Sequence, residues 1–172
     1  MSGSERSPVS AADESAPQGV LLQLDGYVIS DDPARIDLRA VHAFLRRAYW
    51  SKNIPLEIVE RAVRASLCIG AYAPGGEQVG FCRLVTDYAV FCYVGDVYVL
   101  EEHRGRGLSK AMMRAAVEHP RLQGLRRWSL VTHDAHGLYE QFGFRRVAHP
   151  ERHMERLDPD IYLRGVPRGA EE

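Results

Sequence analysis

The sequence has few cysteines, and their spacing argues against two kinds of site. There are 3 cysteines among 172 residues, and they lie singly in apolar segments at positions 68, 82 and 92. A zinc site or a disulfide framework needs paired spacings that these positions lack. We therefore expect three buried free thiols, no metal, and the reducing conditions of the cytoplasm.

Long apolar runs and an excess of one charge are also missing. Runs such as residues 88–94 are far shorter than the ~20 residues of a membrane-spanning helix, so no membrane segment is predicted. The 22 Lys and Arg are balanced by 23 Asp and Glu, with a net charge of -1. This balance gives no global positive field for nucleic acid or an anionic membrane, and we expect neither as a partner.

The two ends of the chain differ from the rest in composition. Residues 1–19 contain Ser, Pro, Gly and acidic side chains without the apolar core of a secretory signal. They predict a disordered tail. We assign residues 20–165 to one domain, because the length fits a single core, and residues 166–172 to a flexible C-terminal tail.

Between these ends, helical and strand patterns alternate. Residues 20–29 predict one edge strand, and the apolar residues from 36 to 49 recur near the helical period. Pro55 is suited to the first turn of a second helix. Strands are predicted at 67–73, 78–85 and 90–100. Their short connections favour an antiparallel meander.

The second half of the chain continues the alternation. Apolar residues spaced along 108–116 predict a helix with one buried face. A short strand is predicted at 128–132 and a short helix at 135–141, and segments 144–148 and 154–157 are expected to close the sheet. The fold class is therefore α/β: a single domain with a central mixed, largely antiparallel sheet flanked by helices.

Residues 95–110 are the most informative, because a strand there enters a glycine-containing turn that opens directly into a helix. Backbone N–H groups at a helix N-terminus have no intrahelical partner and lie at the positive end of the dipole. Gly105 and Gly107 allow close approach of an anion. Three basic side chains add positive charge suited to a pyrophosphate: Arg104, Arg106 and Lys110. The plainer alternative is a strand-to-helix turn with solvated arginines.

A second segment, residues 130–144 (LVTHDAHGLYEQFGF), follows after a further strand. The order and spacing of the two segments resemble the GNAT family of acyl-CoA-dependent N-acetyltransferases. Residues 104–109 (RGRGLS) look like the family's acyl-CoA pyrophosphate motif, although Ser109 departs from it; serine is small and can donate through its hydroxyl. Residues 139–144 (YEQFGF) resemble the other signature. The resemblance covers roughly residues 27–157.

The resemblance implies a site for acetyl-CoA. In this family the donor lies between two splayed parallel strands, which would here end near Val99 and Val131. Backbone groups of Val97, Tyr98 and Val99 would hydrogen-bond the pantetheine, and one N–H there would also steady the oxyanion. The pyrophosphate would bind Arg104, Gly105, Arg106, Gly107, Leu108 and Ser109. Thr132 stands where many relatives carry Asn, so its hydroxyl would replace the usual hydrogen bond only weakly.

The resemblance also implies direct transfer of an acetyl group to a primary amine in a ternary complex. Tyr139 would protonate the leaving thiolate, since a phenol's pKa near ~10 is close to that of a thiol. Its alternative is a tyrosine packed on Phe142 and Phe144. Asp96 would bind or deprotonate the amine, directly or through water, and we expect a small cationic acceptor. The alternative for Asp96 is pairing with a basic neighbour across the sheet.

Other features leave alternatives open. The spacing of His133, Asp134 and His136 is not that of a metal site, and we expect these polar side chains to lie on the surface. Tyr49 and Trp50 fall where relatives form part of the acceptor pocket, but they favour a packed aromatic corner. The competing function is a non-catalytic acyl-CoA-binding or sensing domain. The sequence does not identify the acceptor, which is a small-molecule amine or a peptide or protein amine. It also leaves open whether the chain forms a homodimer.

Overall fold

A six-stranded sheet in the order β1-β2-β3-β4-β5-β6 organises the molecule. The computed structural model describes residues 19–164, so the predicted tails lie outside the described residues, except for Gly19. The strands are β1 (Val20–Leu24), β2 (Tyr27–Ser30), β3 (Leu67–Tyr72), β4 (Gln78–Thr86), β5 (Phe91–Val99) and β6 (Arg127–Ser129). The α-helices are α1 (Leu38–Leu45), α2 (Leu56–Arg64), α3 (Leu108–Val117) and α4 (His136–Glu140).

Strand directions confirm the predicted mixed, largely antiparallel sheet. Consecutive strands from β1 to β5 pair antiparallel, and β5 and β6 are the one parallel pair among the described strands. The meander predicted from short turns is present as β3, β4 and β5. In its second turn, the Asp87 carboxylate accepts hydrogen bonds from the N–H groups of Ala89, Val90 and Phe91 at 2.9–3.0 Å. These bonds, led by that of Val90, lower the pKa of Asp87 to about 2.

The prediction of one edge strand over residues 20–29 is wrong, because this segment forms the β1–β2 hairpin. Its turn residues, Asp25 and Gly26, have φ values of 48° and 82°. A two-residue hairpin turn of this kind requires positive φ at both positions, and Asp-Gly is one of its preferred pairs. The Asp-Gly pair was therefore the missed signal.

The prediction that residues 144–148 and 154–157 close the sheet is also wrong. Among the described residues, no strand follows β6. Pro150 begins a short 3-10 turn, Pro150–Arg152, and proline cannot donate to a strand ladder. Met154 and Leu157 are 98% and 70% exposed, so no burial of these apolar side chains stabilises a strand in this segment.

Two apolar cores cover the two faces of the sheet. Side chains of a strand alternate between faces, and Tyr98 and Val99 accordingly belong to different cores. The larger core contains Val99 together with residues of α3 and α4. The smaller contains Tyr98 together with residues of α1 and α2. We call these the α3 face and the α1–α2 face.

The three cysteines are free and buried, as predicted. Burial raises the pKa of Cys68 to about 12 and that of Cys92 to about 11, which keeps both thiols protonated at neutral pH. Over residues 19–164, we find no helix with the length and apolar character needed to cross a membrane.

Candidate active site

The parallel strands β5 and β6 separate soon after they meet. Their pairing is limited to Phe91 with Arg127, Cys92 with Trp128 and Tyr93 with Ser129. β5 continues to Val99, but β6 ends. We call the space beside residues 94–99 the β5–β6 gap. Backbone groups of a strand alternate between its two neighbours, so those facing the gap lack the partners that a sixth strand of full length would supply.

A β-bulge lies in β5 beside this gap. Phe81 pairs with Tyr98 and Arg83 with Gly95, so two residues of β5, Asp96 and Val97, oppose a single residue of β4. Asp96 has a φ of 54°, in the left-handed region that few residues other than Gly, Asn and Asp enter. A bulge changes the direction of a side chain and increases local twist. The bulge therefore sets where the Asp96 carboxylate points and contributes to the separation of the strands.

The Asp96 carboxylate is held from two directions. Its Oδ2 accepts a hydrogen bond from Arg83 Nε at 2.6 Å, within an ion pair whose side chains are 20% and 13% exposed for Arg83 and Asp96. Its Oδ1 accepts from Trp50 Nε1 at 3.1 Å. Asp96 therefore pairs with a basic neighbour across the sheet, as one of the two alternatives predicted. The positive charge of Arg83 thus lies beside the carboxylate that was expected to hold a cationic acceptor, and the two charges offset each other.

The segment expected to bind an anion, residues 104–110, lies at the N-terminus of α3, and we call it the anion cradle. Gly105 and Gly107 have φ values of 75° and 80°, conformations that favour glycine. The first intrahelical bond runs from Ala111 N to Gly107 O at 2.9 Å, which leaves the N–H groups of the first turn without an intrahelical acceptor. Arg104 Nε donates to Val99 O at 3.1 Å. This bond ties the cradle to the end of β5.

The remaining cradle residues differ in exposure. Leu108 is buried and anchors α3 in the larger core. Ser109 is half-buried, and Arg106 and Lys110 are exposed. The cradle thus combines an anchored helix with solvent-facing charge.

Tyr139 is buried on α4, on the α3 face. Its ring meets Phe144 edge-on, with 5.9 Å between centroids, so the packing alternative holds at least for that neighbour. Burial, followed by smaller electrostatic effects, raises the pKa of Tyr139 to about 12. Tyr139 and Thr132 border the same cavity of about 280 Å³ beside β6. Thr132 Oγ1 accepts from Ala135 N at 3.0 Å, which still leaves its hydroxyl proton free to donate.

The strand residues Val97, Tyr98 and Val99 were expected to act through their backbone, and their side chains are indeed used elsewhere. The Tyr98 ring stacks on Phe44 at 3.8 Å between centroids and 8° between planes. Val97 and Val99 pack into the larger core. Only main-chain groups of this stretch are therefore available to a ligand in the gap.

A second cavity, which we call the Asp96 cavity, lies on the α1–α2 face and measures about 180 Å³. Its lining combines the polar side chains of Asp96, Arg83 and Ser51 and the Trp50 indole with apolar side chains. Three of its residues come from separate helices and strands: Leu45, Ile58 and Phe81. Tyr162 also borders it. Sequence reasoning missed Arg83 and Tyr162, since neither belongs to a motif.

The prediction of a packed aromatic corner at Tyr49 and Trp50 is wrong. These side chains are 69% and 44% exposed. They meet each other edge-on at 4.9 Å, and Tyr49 lies 6.2 Å from the His133 ring. The loop between α1 and α2 thus reaches toward the segment that precedes α4.

His133, Asp134 and His136 are exposed. In the part of the chain that the structure describes, no group of three or more His, Cys, Asp or Glu side chains is placed to hold a metal ion.

Comparison with known proteins agrees with this geometry. Residues 64–146 match a family model described as an acetyltransferase (GNAT) domain. A protein of Gibberella zeae named as a putative acetyltransferase is 33% identical over 135 residues, which span 66% of this chain and 75% of that protein. A crystal structure from Xanthomonas campestris, described as a putative acetyltransferase of the GNAT family, is 48% identical. It has a TM-score of 0.78 and matches 81% of this chain and 99% of that one.

A more distant structure shows the fold alone. A protein of Deinococcus radiodurans with 19% identity has a TM-score of 0.66 over 87% of this chain and 99% of its own. The sheet with its β5–β6 gap and glycine cradle defines an acyltransferase-type α/β domain. More particularly, the chain belongs to the GNAT family of acetyltransferases.

Proposed function

We propose that this protein transfers the acetyl group of acetyl-CoA to a primary amine, by direct attack of the amine in a ternary complex. The observation that carries the proposal is the β5–β6 gap, because it opens between the two faces of the sheet. The anion cradle and Tyr139 lie with the larger core, and the Asp96 cavity lies with the smaller one. A donor and an acceptor on opposite faces would meet at the gap.

The residues around the gap fit an acyl-CoA. The cradle offers the N–H groups of the first turn of α3, and Cβ atoms built at Gly105 and Gly107 would meet no atom closer than 3.6 Å, so the approach is open. Arg104, Arg106 and Lys110 would offset the pyrophosphate charge. Backbone groups of residues 97–99 would bind the pantetheine, with the Thr132 hydroxyl as an additional donor. Bound acetyl-CoA would supply an activated thioester.

The amine would react as the free base. Its nitrogen attacks the thioester carbon, an N–C bond forms, and the C–S bond breaks. A backbone N–H of β5 stabilises the oxyanion, and the Tyr139 hydroxyl donates a hydrogen bond to the leaving sulfur, which then takes a proton from solvent. The proton lost by nitrogen passes to Asp96 or to water held by it, and then to solvent. The products are an N-acetylated amine and a free thiol.

Burial refines the role of Tyr139. With a pKa of about 12, the phenol keeps its proton at neutral pH. A thiol has a pKa near ~8.5, so complete transfer to sulfur is uphill while the site stays as it is. We infer that Tyr139 contributes mainly through a hydrogen bond that strengthens as charge develops on sulfur.

The test is thiol release from acetyl-CoA in the presence of a panel of primary amines, together with calorimetric binding of acetyl-CoA. We expect amine-dependent release with one N-acetyl product formed per thiol. Binding of acetyl-CoA without release for any amine would instead support the non-catalytic binding or sensing domain. Release that does not depend on an amine would point to hydrolysis and contradict the proposal.

A further inference from the structure

We propose that the acceptor amine is carried by an acidic peptide segment, and that Arg46, Arg47 and Lys52 bind the carboxylates of this segment. The inference rests on the proposed function, since it assumes that the amine reacts beside Asp96. It goes further by naming the substrate class: peptides or proteins with acidic side chains a few residues from the reacting amine. The charge is opposite in sign to that of the small cationic acceptor expected from Asp96 alone.

The first support is an open groove at the end of α1, which we call the basic groove. It measures about 610 Å³, within the range of natural ligand sites. Its lining comes from α1 and from the loop that follows: His42, Ala43, Arg46, Arg47, Lys52 and Asn53. Three of these side chains are cations at neutral pH, and none is an acid. The groove therefore suits an anionic ligand.

The second support is the lack of compensating charge. Residues 38–56 contain no Asp or Glu, although the whole chain has 23 acids and 22 bases. In the described part of the chain, the ion pairs involve none of Arg46, Arg47 and Lys52. Arg47 Nε donates to Ala43 O at 3.0 Å, which uses only one of the five N–H groups of its guanidinium. The local positive potential is thus available to attract an anion.

A plainer role explains only part of this cluster. Cations at a helix C-terminus interact favourably with the helix dipole, an effect that falls off within the last turn. Arg46 and Arg47 directly follow Leu45, the last residue of α1, so the dipole accounts for them. Lys52 lies further along the loop, beyond that range. Its place in the groove is explained by a ligand that all three cations share.

The third support is the position of the basic groove next to Asp96. The loop is closed by a hydrogen bond from Asn53 N to Arg46 O at 3.0 Å, and Trp50 of the same loop donates to Asp96 at 3.1 Å. Successive Cα atoms are ~3.8 Å apart, so the Cα atom of Lys52 lies within ~8 Å of that of Trp50. A peptide whose amine lies beside Asp96 needs only a few extended residues to reach the groove.

Asp96 does not reverse the sign of the charge on this side of the molecule. Its carboxylate forms an ion pair with Arg83 at 2.6 Å, so these two charges offset each other. Together with the basic groove, the side that would receive the acceptor has an excess of positive charge. Such an excess repels a cationic peptide and attracts an acidic one.

The exposure of the three cations favours an extended ligand over a compact anion. Arg46, Arg47 and Lys52 are all exposed, and one exposed ion pair contributes little to binding. A peptide segment with several carboxylates forms several such pairs at once. A single carboxylate or phosphate does not.

The experiment compares kcat/KM for three short peptides whose only primary amine is the N-terminus. The third to fifth peptide residues are Glu in the acidic peptide, Gln in the neutral one and Arg in the basic one, and all other residues are Ala. At low ionic strength we expect the wild type to prefer the acidic over the neutral peptide by about tenfold, since three small contributions add. This preference should shrink at high salt, because exposed charges are screened.

Two variants with the same net charge assign the preference to the groove. The groove variant replaces its three cations: Arg46→Gln, Arg47→Gln and Lys52→Gln. The control variant replaces three exposed cations outside the groove: Arg114→Gln, Arg126→Gln and Arg156→Gln. The groove variant should lower kcat/KM for the acidic peptide to that for the neutral one and keep the wild-type value for the neutral peptide, which shows that it is folded. The control variant should keep the wild-type preference.

A binding measurement separates failure of this inference from failure of the proposed function. Calorimetry with the acidic peptide measures its affinity for the full chain without turnover. If no peptide is acetylated, but the acidic peptide binds the wild type and the control variant more tightly than the groove variant, the proposed reaction is wrong and the groove assignment stands. Acetylation with equal kcat/KM for the acidic and neutral peptides, or with the same preference in both variants, would overturn the inference and leave the reaction in place. Binding of a single-stranded oligonucleotide but not of the acidic peptide would also overturn it.

Discussion

Under the proposed function, the two faces of the sheet would recognise their ligands in different ways. On the α3 face, the cradle is a short continuous segment in which backbone N–H groups and two glycines would provide the contacts. On the α1–α2 face, the Asp96 cavity is assembled from side chains far apart in sequence, such as Trp50, Arg83 and Tyr162. Main-chain recognition depends on local conformation and tolerates changes of side chain. Side-chain recognition depends on each residue, so the second face is where substrate choice can diverge.

The largest expected effect tests the α3 face. Tyr139→Phe should lower kcat by ~10²–10³-fold, the usual cost of losing one hydrogen-bond donor to charge that develops in the transition state, with little change in acetyl-CoA affinity. Steady-state kinetics with a demonstrated chemical rate limit would measure it. Tyr72→Phe is the matched control, because Tyr72 is also buried with a pKa raised to about 12 and its hydroxyl finds no hydrogen-bond partner among residues 19–164. Equal kcat values in the two variants would remove Tyr139 from the mechanism.

The pH dependence follows from the same group. Tyr139 must be protonated to donate, and its folded pKa is raised to about 12 from ~10. Its donor form is thus retained below pH ~10 and lost as the pH rises through about 12. The contrary result would be a fall in the wild-type kcat near pH 8 to 9 that is absent from Tyr139→Phe. It would show that burial does not set the pKa of Tyr139.

A smaller effect tests the side-chain network of the α1–α2 face. Arg83→Met should reduce the free energy of unfolding by about 3 kcal/mol, because it leaves a mostly buried carboxylate without its charge partner. Asp96→Asn combined with Arg83→Met should recover part of this loss. Urea unfolding measures both. Arg64→Met, which removes an exposed pair with Glu60 at 4.0 Å, is the control and should change stability by less than ~0.5 kcal/mol. If Arg83→Met also lowers the free energy of unfolding by less than ~0.5 kcal/mol, the Arg83–Asp96 ion pair does not organise this face.

Gly107→Val should weaken acetyl-CoA binding by about tenfold, since a β-branched residue at a φ of 80° displaces the turn and blocks close approach. Gly124→Val is the matched control, because Gly124 has the same φ and lies outside the cradle. Calorimetry should show reduced affinity only for Gly107→Val. The same affinity loss in both variants would indicate a general effect of strain rather than a cradle.

The smallest effect concerns a turn outside both sites. The depressed pKa of Asp87, about 2, means that this carboxylate stabilises the folded state above the unfolded value of ~3.9 and loses this contribution as the pH falls through 2. Asp87→Asn should flatten the fall in melting temperature between about pH 4 and pH 2, without altering turnover. A changed turnover would link this turn to the reaction and weaken the division between the two faces.

The same contrast between local and long-range contacts explains which features could be predicted from the sequence. The meander, the helix stripe of α3 and the cradle were all predictable because their patterns are local. Arg83 and Tyr162 were not, since their proximity to Asp96 depends on strand register, the bulge and a turn near residue 160. Asp96 was singled out as a charge on an apolar strand, but its partner required the cross-strand geometry. The β1–β2 hairpin was missed although its Asp-Gly turn is a local signal.

Hydrogen exchange with and without acetyl-CoA tests the central claim most directly. If the donor binds the α3 face and enters the β5–β6 gap, acetyl-CoA should slow exchange of amides in residues 94–99 and 107–110. It should leave the loop at 46–54 and the turn at 158–164 unchanged. Slowed exchange confined to the loop and the turn, with none in β5 or at the start of α3, would contradict the assignment of donor and acceptor to opposite faces.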